Sequence, residues 1–184
     1  MRSRAAVRAV AMLLVGLVTL AGCGNESSGD QVATLLSKGV AAQRTGDLQV
    51  AKKDYEELLK KDPRNKFAFY NLGLIAQVTS DKPTAETDYR QAVSIDAKFA
   101  LALYNLAILR NSVGDTTSAI TFYRQAIAAD PTNPAPHFNL GLVLRANGKT
   151  AEGNTQINRA IQLNPSLGAR VPKDNAGAAG GTGR

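Results

Sequence analysis

Tyr70-Asn71-Leu72-Gly73, Tyr104-Asn105-Leu106-Ala107 and Phe138-Asn139-Leu140-Gly141 are one phrase written three times at a step of 34 residues. The same step runs outward from it. Pro63, Pro131 and Pro165 fall in register, as do Gly39 with Gly73 and Gly141, and Gly46 with Gly114 and Gly148. Ala51, Ala85 and Ala119 form a further column, Tyr55, Tyr89 and Tyr123 another, and Ala92, Ala126 and Ala160 a fifth. A period in this range marks an array of stacked units. The units are 32–65, 66–99, 100–133 and 134–167, together 136 of 184 residues with no insertion.

Each unit holds two helical patterns around a turn such as Arg44-Thr45-Gly46-Asp47 or Val113-Gly114-Asp115. Glycine supplies the left-handed conformation that ends the first helix, and Asp can cap the second. Small residues at Gly73 with Ala85, or Ala107 with Ala119, let two antiparallel helices approach, while Tyr89 and Tyr123 fill the space against the next unit. Asn133-Pro134 is a cap followed by proline at the first helical position. One hairpin cannot bury its own apolar face, so neighbours stack into a solenoid.

These columns resemble the tetratricopeptide family. The resemblance implies an all-α fold, a right-handed α-solenoid of four 34-residue helix-turn-helix repeats. Three positions depart from the pattern: His137 stands where Trp or Leu is usual, Arg110 where Tyr is usual, and Gly153 replaces the packing alanine. Glycine inside a helix costs about 1 kcal/mol, so the fourth repeat is expected to be the loosest. His137, the only histidine, occupies a scaffold column and reads as a packing residue.

In this family the first helix of each hairpin lines the concave face. Carried onto this sequence, the second position gives Phe67 and Leu101, and the fifth gives Leu36, Tyr70, Tyr104 and Phe138. The ninth gives Val40, Leu74, Ile108 and Leu142, and the twelfth gives Gln43, Gln77, Asn111 and Arg145. An aromatic and aliphatic groove bordered by amides suits an apolar or mixed peptide segment. The sixth position, Ser37, Asn71, Asn105 and Asn139, forms a ladder of amides. It resembles the superhelical repeats of O-linked N-acetylglucosamine transferases, where such a ladder holds peptide backbone. The other reading is that Asn belongs to the repeat consensus, and both stand at this point. The chaperone-tail carboxylate clamp of the family is disfavoured, because Leu36, Val40 and Leu101 occupy three of its places and Asn105 the fourth.

The N-terminus is a targeting segment and is set aside from the fold. Arg2, Arg4 and Arg8 precede an apolar run from Ala9 to Leu20. Twelve helical residues reach about 18 Å, short of a bilayer core of about 30 Å. Leu20-Ala21-Gly22-Cys23 then resembles the bacterial lipobox. That resemblance implies a signal peptide over 1–22, lipid on Cys23, and a protein anchored to the cell membrane on its extracytoplasmic or periplasmic side. More than one acyl chain is what stable anchoring requires. Residues 23–31 come next as the lipidated Cys and a polar tether. Residues 168–184 are expected to be a disordered tail rich in Gly and Ala, with no room for a further capping helix.

The formal charge of +7 includes the three leader arginines, whose removal leaves 19 bases against 15 acids, or +4. The lysines do not gather into an unmixed block, since Lys52-Lys53 and Lys60-Lys61 flank Glu56-Glu57. This argues against nucleic acid as a partner. With one cysteine the fold cannot rest on disulfides. No Cys/His cluster, paired-acid motif or Gly-rich phosphate loop appears, so no metal, cofactor or enzymatic activity is expected. The sequence reads as a membrane-anchored adaptor that holds an extended or partly apolar peptide of a protein partner. The alternative is a structural or self-associating component of an envelope assembly machine. The polar outer side of the last helix favours a monomer.

Overall fold

The computed structural model describes residues 27–172. Cys23, the targeting segment and residues 173–184 lie outside them. The described chain is helical throughout: α1 (Ser28–Thr45), α2 (Leu48–Lys61), α3 (Lys66–Val78), α4 (Lys82–Ile95), α5 (Ala100–Ser112), α6 (Thr116–Ala129), α7 (Pro134–Ala146), α8 (Thr150–Leu163) and a closing 3-10 helix, Pro165–Arg170. Each unit read from the sequence is one antiparallel hairpin, an odd helix followed by an even one. The first begins at Ser28, four residues before position 32.

Local chemistry sets the helix ends. Ser27 and Asp30 form a reciprocal capping box at α1. Asn65 accepts from the Ala68 amide at 3.0 Å, Asp115 from Ser118 at 3.1 Å, and Asn133 from Ala135 at 3.0 Å, with Pro134 behind it. Asp47 does not cap α2. Its carboxylate instead accepts from the Thr45 hydroxyl at 2.8 Å. Gly46, Gly114 and Gly148 take φ of 88°, 83° and 76° between the helices of their hairpins. In the second unit the same corner falls on Ser80, at φ 65°.

Two layers arise from the contacts between units. Tyr70 of α3 meets Asn105 of α5, and Tyr104 of α5 meets Asn139 of α7, so the odd helices form one layer. In the even layer the Arg90 guanidinium lies 5.7 Å from the Phe122 ring, and Arg124 of α6 pairs with Glu152 of α8 at 2.5 Å. Between the layers run the buried columns Ala51, Ala85, Ala119 and Tyr55, Tyr89, Tyr123.

The tyrosine column also packs within its own hairpin. A Cβ added at Gly39 would stand 2.5 Å from the Tyr55 ring, and one at Gly73 would stand 2.6 Å from Tyr89. The Tyr55 hydroxyl donates to Gln43 at 3.0 Å, and the Tyr89 hydroxyl to Gln77 at 2.8 Å. In the fourth unit the column holds Ile157, and with no ring in the way α7 and α8 close to backbone contact. A Cβ at Gly153 would lie 2.7 Å from the Gly141 carbonyl oxygen and 3.0 Å from the Arg145 amide nitrogen. The fourth hairpin is therefore not opened by Gly153. Glycine is what permits its close packing.

Both ends of the array differ from its middle. At the third, seventh and tenth positions the inner units bury Ala68, Leu106 and Leu140, or Ile75 and Leu109, against the preceding unit. The first unit has Thr34, Lys38 and Ala41 there, polar or small. At the other end, the turn that begins with Asp62, Asp96 and Asp130 recurs a fourth time with Asn164, which accepts from the Ser166 amide at 3.1 Å. That turn leads into one 3-10 helix in place of another hairpin. The boundary expected at 167 falls inside this helix, which runs on to Arg170, and Leu167 is buried on Phe138, Ile157 and Ala160, with Val171 beside it.

Candidate functional site

The exposed face of the odd layer is where the expected groove residues gather, although they do not all remain open. Val40, Phe67 and Leu101 are 49%, 45% and 44% exposed, one on each of α1, α3 and α5. Leu36, Leu74, Ile108 and Leu142 are half-buried and shared between this face and the core. Asn111 is exposed, and Arg145 donates to the Pro172 carbonyl at 3.3 Å. Gln43 and Gln77 accept from the buried tyrosines, so their carbonyl oxygens serve the scaffold first. Phe138 departs from expectation. Only 4% exposed, it lies beneath Leu167 and the Arg170 side chain.

The asparagine ladder has a structural use. Asn105, 8% exposed, donates its amide to the Tyr70 hydroxyl oxygen at 3.4 Å, and Asn139 donates to that of Tyr104 at 2.9 Å. Each bond joins a fifth-position phenol to the sixth-position amide one unit later. Leu36 has no hydroxyl, so Asn71 turns to the Phe67 carbonyl of its own helix at 2.9 Å. Burial pushes the Tyr70 and Tyr104 hydroxyls above the ordinary tyrosine range, and the asparagine bonds pull back against it. Two amide nitrogens of the ladder are thereby committed between units.

One cluster escaped the column reading. Phe99 sits at the N-cap of α5, with its ring edge-on to Phe67 at 5.5 Å and to Tyr70 at 5.4 Å. The Lys66 ammonium lies 5.2 Å from the Phe67 ring and 5.1 Å from the Phe99 ring, and it pairs with Asp96 at 2.5 Å. The result is an aromatic cluster bridging α3 and the start of α5. Phe99 belongs to a turn, outside the inner-helix positions, and only the repeated Asp-to-helix spacing could have placed it.

Most scaffold polar groups find partners, although Arg110 Nε is buried without one among the described residues. His137 is buried, with Nδ1 2.8 Å from the Gln156 side-chain oxygen and Nε2 3.4 Å from the Pro131 carbonyl. Arg110 pairs with Glu86 and reaches Asp115 at 3.8 Å, holding α5 against α4 and the following turn. Among the described residues no group of His, Cys, Asp and Glu could hold a metal ion, and no helix is long and apolar enough to cross a membrane.

Two family models match the chain, one described as tetratricopeptide repeat over residues 36–98 and one as TPR repeat over 109–148. The fold is a tetratricopeptide-repeat solenoid. Among solved structures, MamA is 23% identical with a TM-score of 0.66, the match covering 76% of this chain and 81% of that one. The Pseudomonas aeruginosa pilF structure is 21% identical with a TM-score of 0.69, covering 76% and 64%. At these identities both show the fold alone. A mutant O-GlcNAc transferase of Thermobaculum terrenum is 28% identical over 65% of this chain, with a TM-score of 0.60, but the match spans only 23% of the transferase. No curated protein matches the sequence.

Proposed function

We propose that this protein is an adaptor, held through lipid on Cys23 at the extracytoplasmic side of the cell membrane, which binds an extended and partly apolar segment of a protein partner along its odd-helix layer. The observation that carries this reading is the row of exposed Val40, Phe67 and Leu101 on successive odd helices, backed by the aromatic cluster around Phe99. Scattered single apolar residues mean little, whereas apolar residues exposed on one layer of the array mark an interaction surface. Specificity comes from the apolar row more than from a backbone clamp, because the Asn105 and Asn139 amide nitrogens already serve the phenols.

Self-association is the weaker reading. An end-to-end stack would need an apolar end, yet the first unit offers Thr34, Lys38 and Ala41, and the last is covered by Leu167.

The test has two independent arms. A photo-crosslinking side chain placed at Leu101 in intact cells should capture one predominant partner, and Phe67→Ser with Val40→Ser should abolish the capture while the helical signal persists. Undiminished capture by that double variant would remove the groove from the function. For the anchor, the N-terminal peptide of the mature protein should carry diacylglyceryl mass, and Cys23→Ala should leave unprocessed precursor. An unmodified Cys23 in mature protein would remove the anchor and leave the groove standing.

A further inference from the structure

At the C-terminal end of the same face, Tyr104, Pro134, Ala135, Phe138, Leu167 and Arg170 surround a hollow of about 210 Å³, with Asn139 and Asn164 at its polar edge. Its floor is apolar: Phe138 and Leu167 are buried against each other. Its one cation is Arg170, a solvent-exposed residue whose guanidinium lies 5.6 Å from the Phe138 ring at the edge of the hollow. The backbone around it is tied down, because Asn164 caps the 3-10 helix and Arg145 holds the Pro172 carbonyl just beyond Arg170.

Charge on this layer is one-sided. The odd helices and the 3-10 helix carry six basic residues, Lys38, Arg44, Lys66, Arg110, Arg145 and Arg170, against a single acid, Asp30. Asp30 is spent in the capping box with Ser27. The helices α3, α5 and α7 contain no acid at all. Lys66 and Arg110 answer to carboxylates of neighbouring turns and of α4. Arg170 makes no ion pair among the described residues, and the electrostatic neighbour it does have is the neutral Tyr104 hydroxyl. An Arg fork beside an apolar floor is complementary to a carboxylate next to a bulky apolar group.

Resting on the groove reading above, we infer that this hollow is a subsite for an acidic residue of the bound segment, its carboxylate on Arg170 and a neighbouring aliphatic or aromatic side chain against Tyr104, Pro134 and Ala135, above the buried Phe138 and Leu167. The partner segment is thus acidic as well as apolar. The cation that reads it comes from the 3-10 helix outside the repeats, which no inner-helix position supplies.

The test uses the whole protein in detergent and a panel of labelled synthetic nonapeptides with a central Leu-Asp, Leu-Asn or Ser-Asp pair. Leu-Asp peptides should bind best, with Asn for Asp losing affinity on the order of tenfold, as loss of a charge-assisted hydrogen bond does. Arg170→Gln should erase the difference between the Asp and Asn peptides. Arg159→Gln, on the outer side of α8, should leave that difference intact. Peptides that bind with equal affinity whether they carry Asp or Asn, or an Arg170→Gln protein that still prefers Asp, would overturn the subsite while sparing the groove. Absence of binding by every peptide in the panel would overturn both.

Discussion

The Tyr104 hydroxyl oxygen accepts a 2.9 Å hydrogen bond from the side-chain amide of Asn139, thirty-five residues later and one unit along the array. The phenol and the amide face the same layer, so this bond couples the odd helices of two hairpins whose even helices are joined by the Arg124–Glu152 ion pair. Tyr104→Phe and Asn139→Ala should each cost about 1 kcal/mol of unfolding free energy. The double variant should cost clearly less than the two added together, since they remove the same bond. Asn71→Ala, which loses only a bond within its own helix, serves as the comparison and should fall within about 0.5 kcal/mol of wild type. Urea unfolding of the four variants settles the matter, and strict additivity of Tyr104 and Asn139 would show that the bond contributes nothing.

Gly153→Ala sets two effects against each other. Helix propensity alone favours alanine by about 1 kcal/mol. The new methyl, however, would meet the Gly141 carbonyl at 2.7 Å and the Arg145 amide nitrogen at 3.0 Å, backbone atoms that cannot rotate away. Overpacking of this kind costs about 1–3 kcal/mol, so the net change is destabilising. A rise in melting temperature would refute the close approach.

Ser80→Gly runs the other way. Ser80 holds φ at 65° in the corner that Gly46, Gly114 and Gly148 occupy in the other three units. A side chain in the left-handed region costs about 1–2 kcal/mol, and part of the relief is lost to the greater freedom of glycine in the unfolded chain. A gain of about 0.5 kcal/mol in thermal or chemical unfolding is expected. Ser80→Ala, which keeps the Cβ, should show none.

Asp88 makes stability depend on pH. It faces a hollow lined by Gln49 and Lys52 of α2, Leu72 and Ile75 of α3, and Asp81 and Thr84 near the start of α4. Burial pushes its carboxyl up to about 6, against the pull of Lys52 and with a push from Asp81. A raised carboxyl is protonated in the folded state after the unfolded chain has already ionised. The fold therefore loses stability from Asp88 as pH rises from about 4 to about 6, and the loss is constant above that. Asp88→Asn should match wild type near pH 4 and exceed it at pH 7, modestly, because the group is half-exposed and screened. Paired urea curves at pH 4, 6 and 8 test the sign.

Much of the fold was legible because repeats make local signals redundant. The Gly46 and Gly114 corners, the Asn133-Pro134 start and the Tyr55, Tyr89, Tyr123 column each rest on a few consecutive residues and one backbone conformation. The open row of Val40, Phe67 and Leu101 could likewise be read from helix position. What escaped involves residues that meet only after stacking. Tyr70 with Asn105 is a contact between units, invisible in either phrase taken alone. Phe138 sits in a groove column but is covered by Leu167, whose short helix resembled the start of a tail. Gly153 was misjudged because propensity says nothing of the distance to Gly141, which depends on Ile157 replacing tyrosine.

The missing hydroxyl at Leu36 has a consequence for how the molecule comes apart. The joints between the second and third hairpins and between the third and fourth are pinned by a phenol and an amide, while the joint after the first has no such bond in its odd layer and combines apolar packing with the charge of Lys52 facing Asp81 and Asp88. In a linear array, stability is the sum of each unit and its seams. The first hairpin is therefore the one that detaches at least cost, and its amides should exchange with deuterium ahead of those in α5 to α7. If lipid holds the chain at Cys23, this is also the hairpin nearest the bilayer. Pulling on the anchor would then peel the array from its least-fastened end and leave the hollow beside Arg170 intact until last.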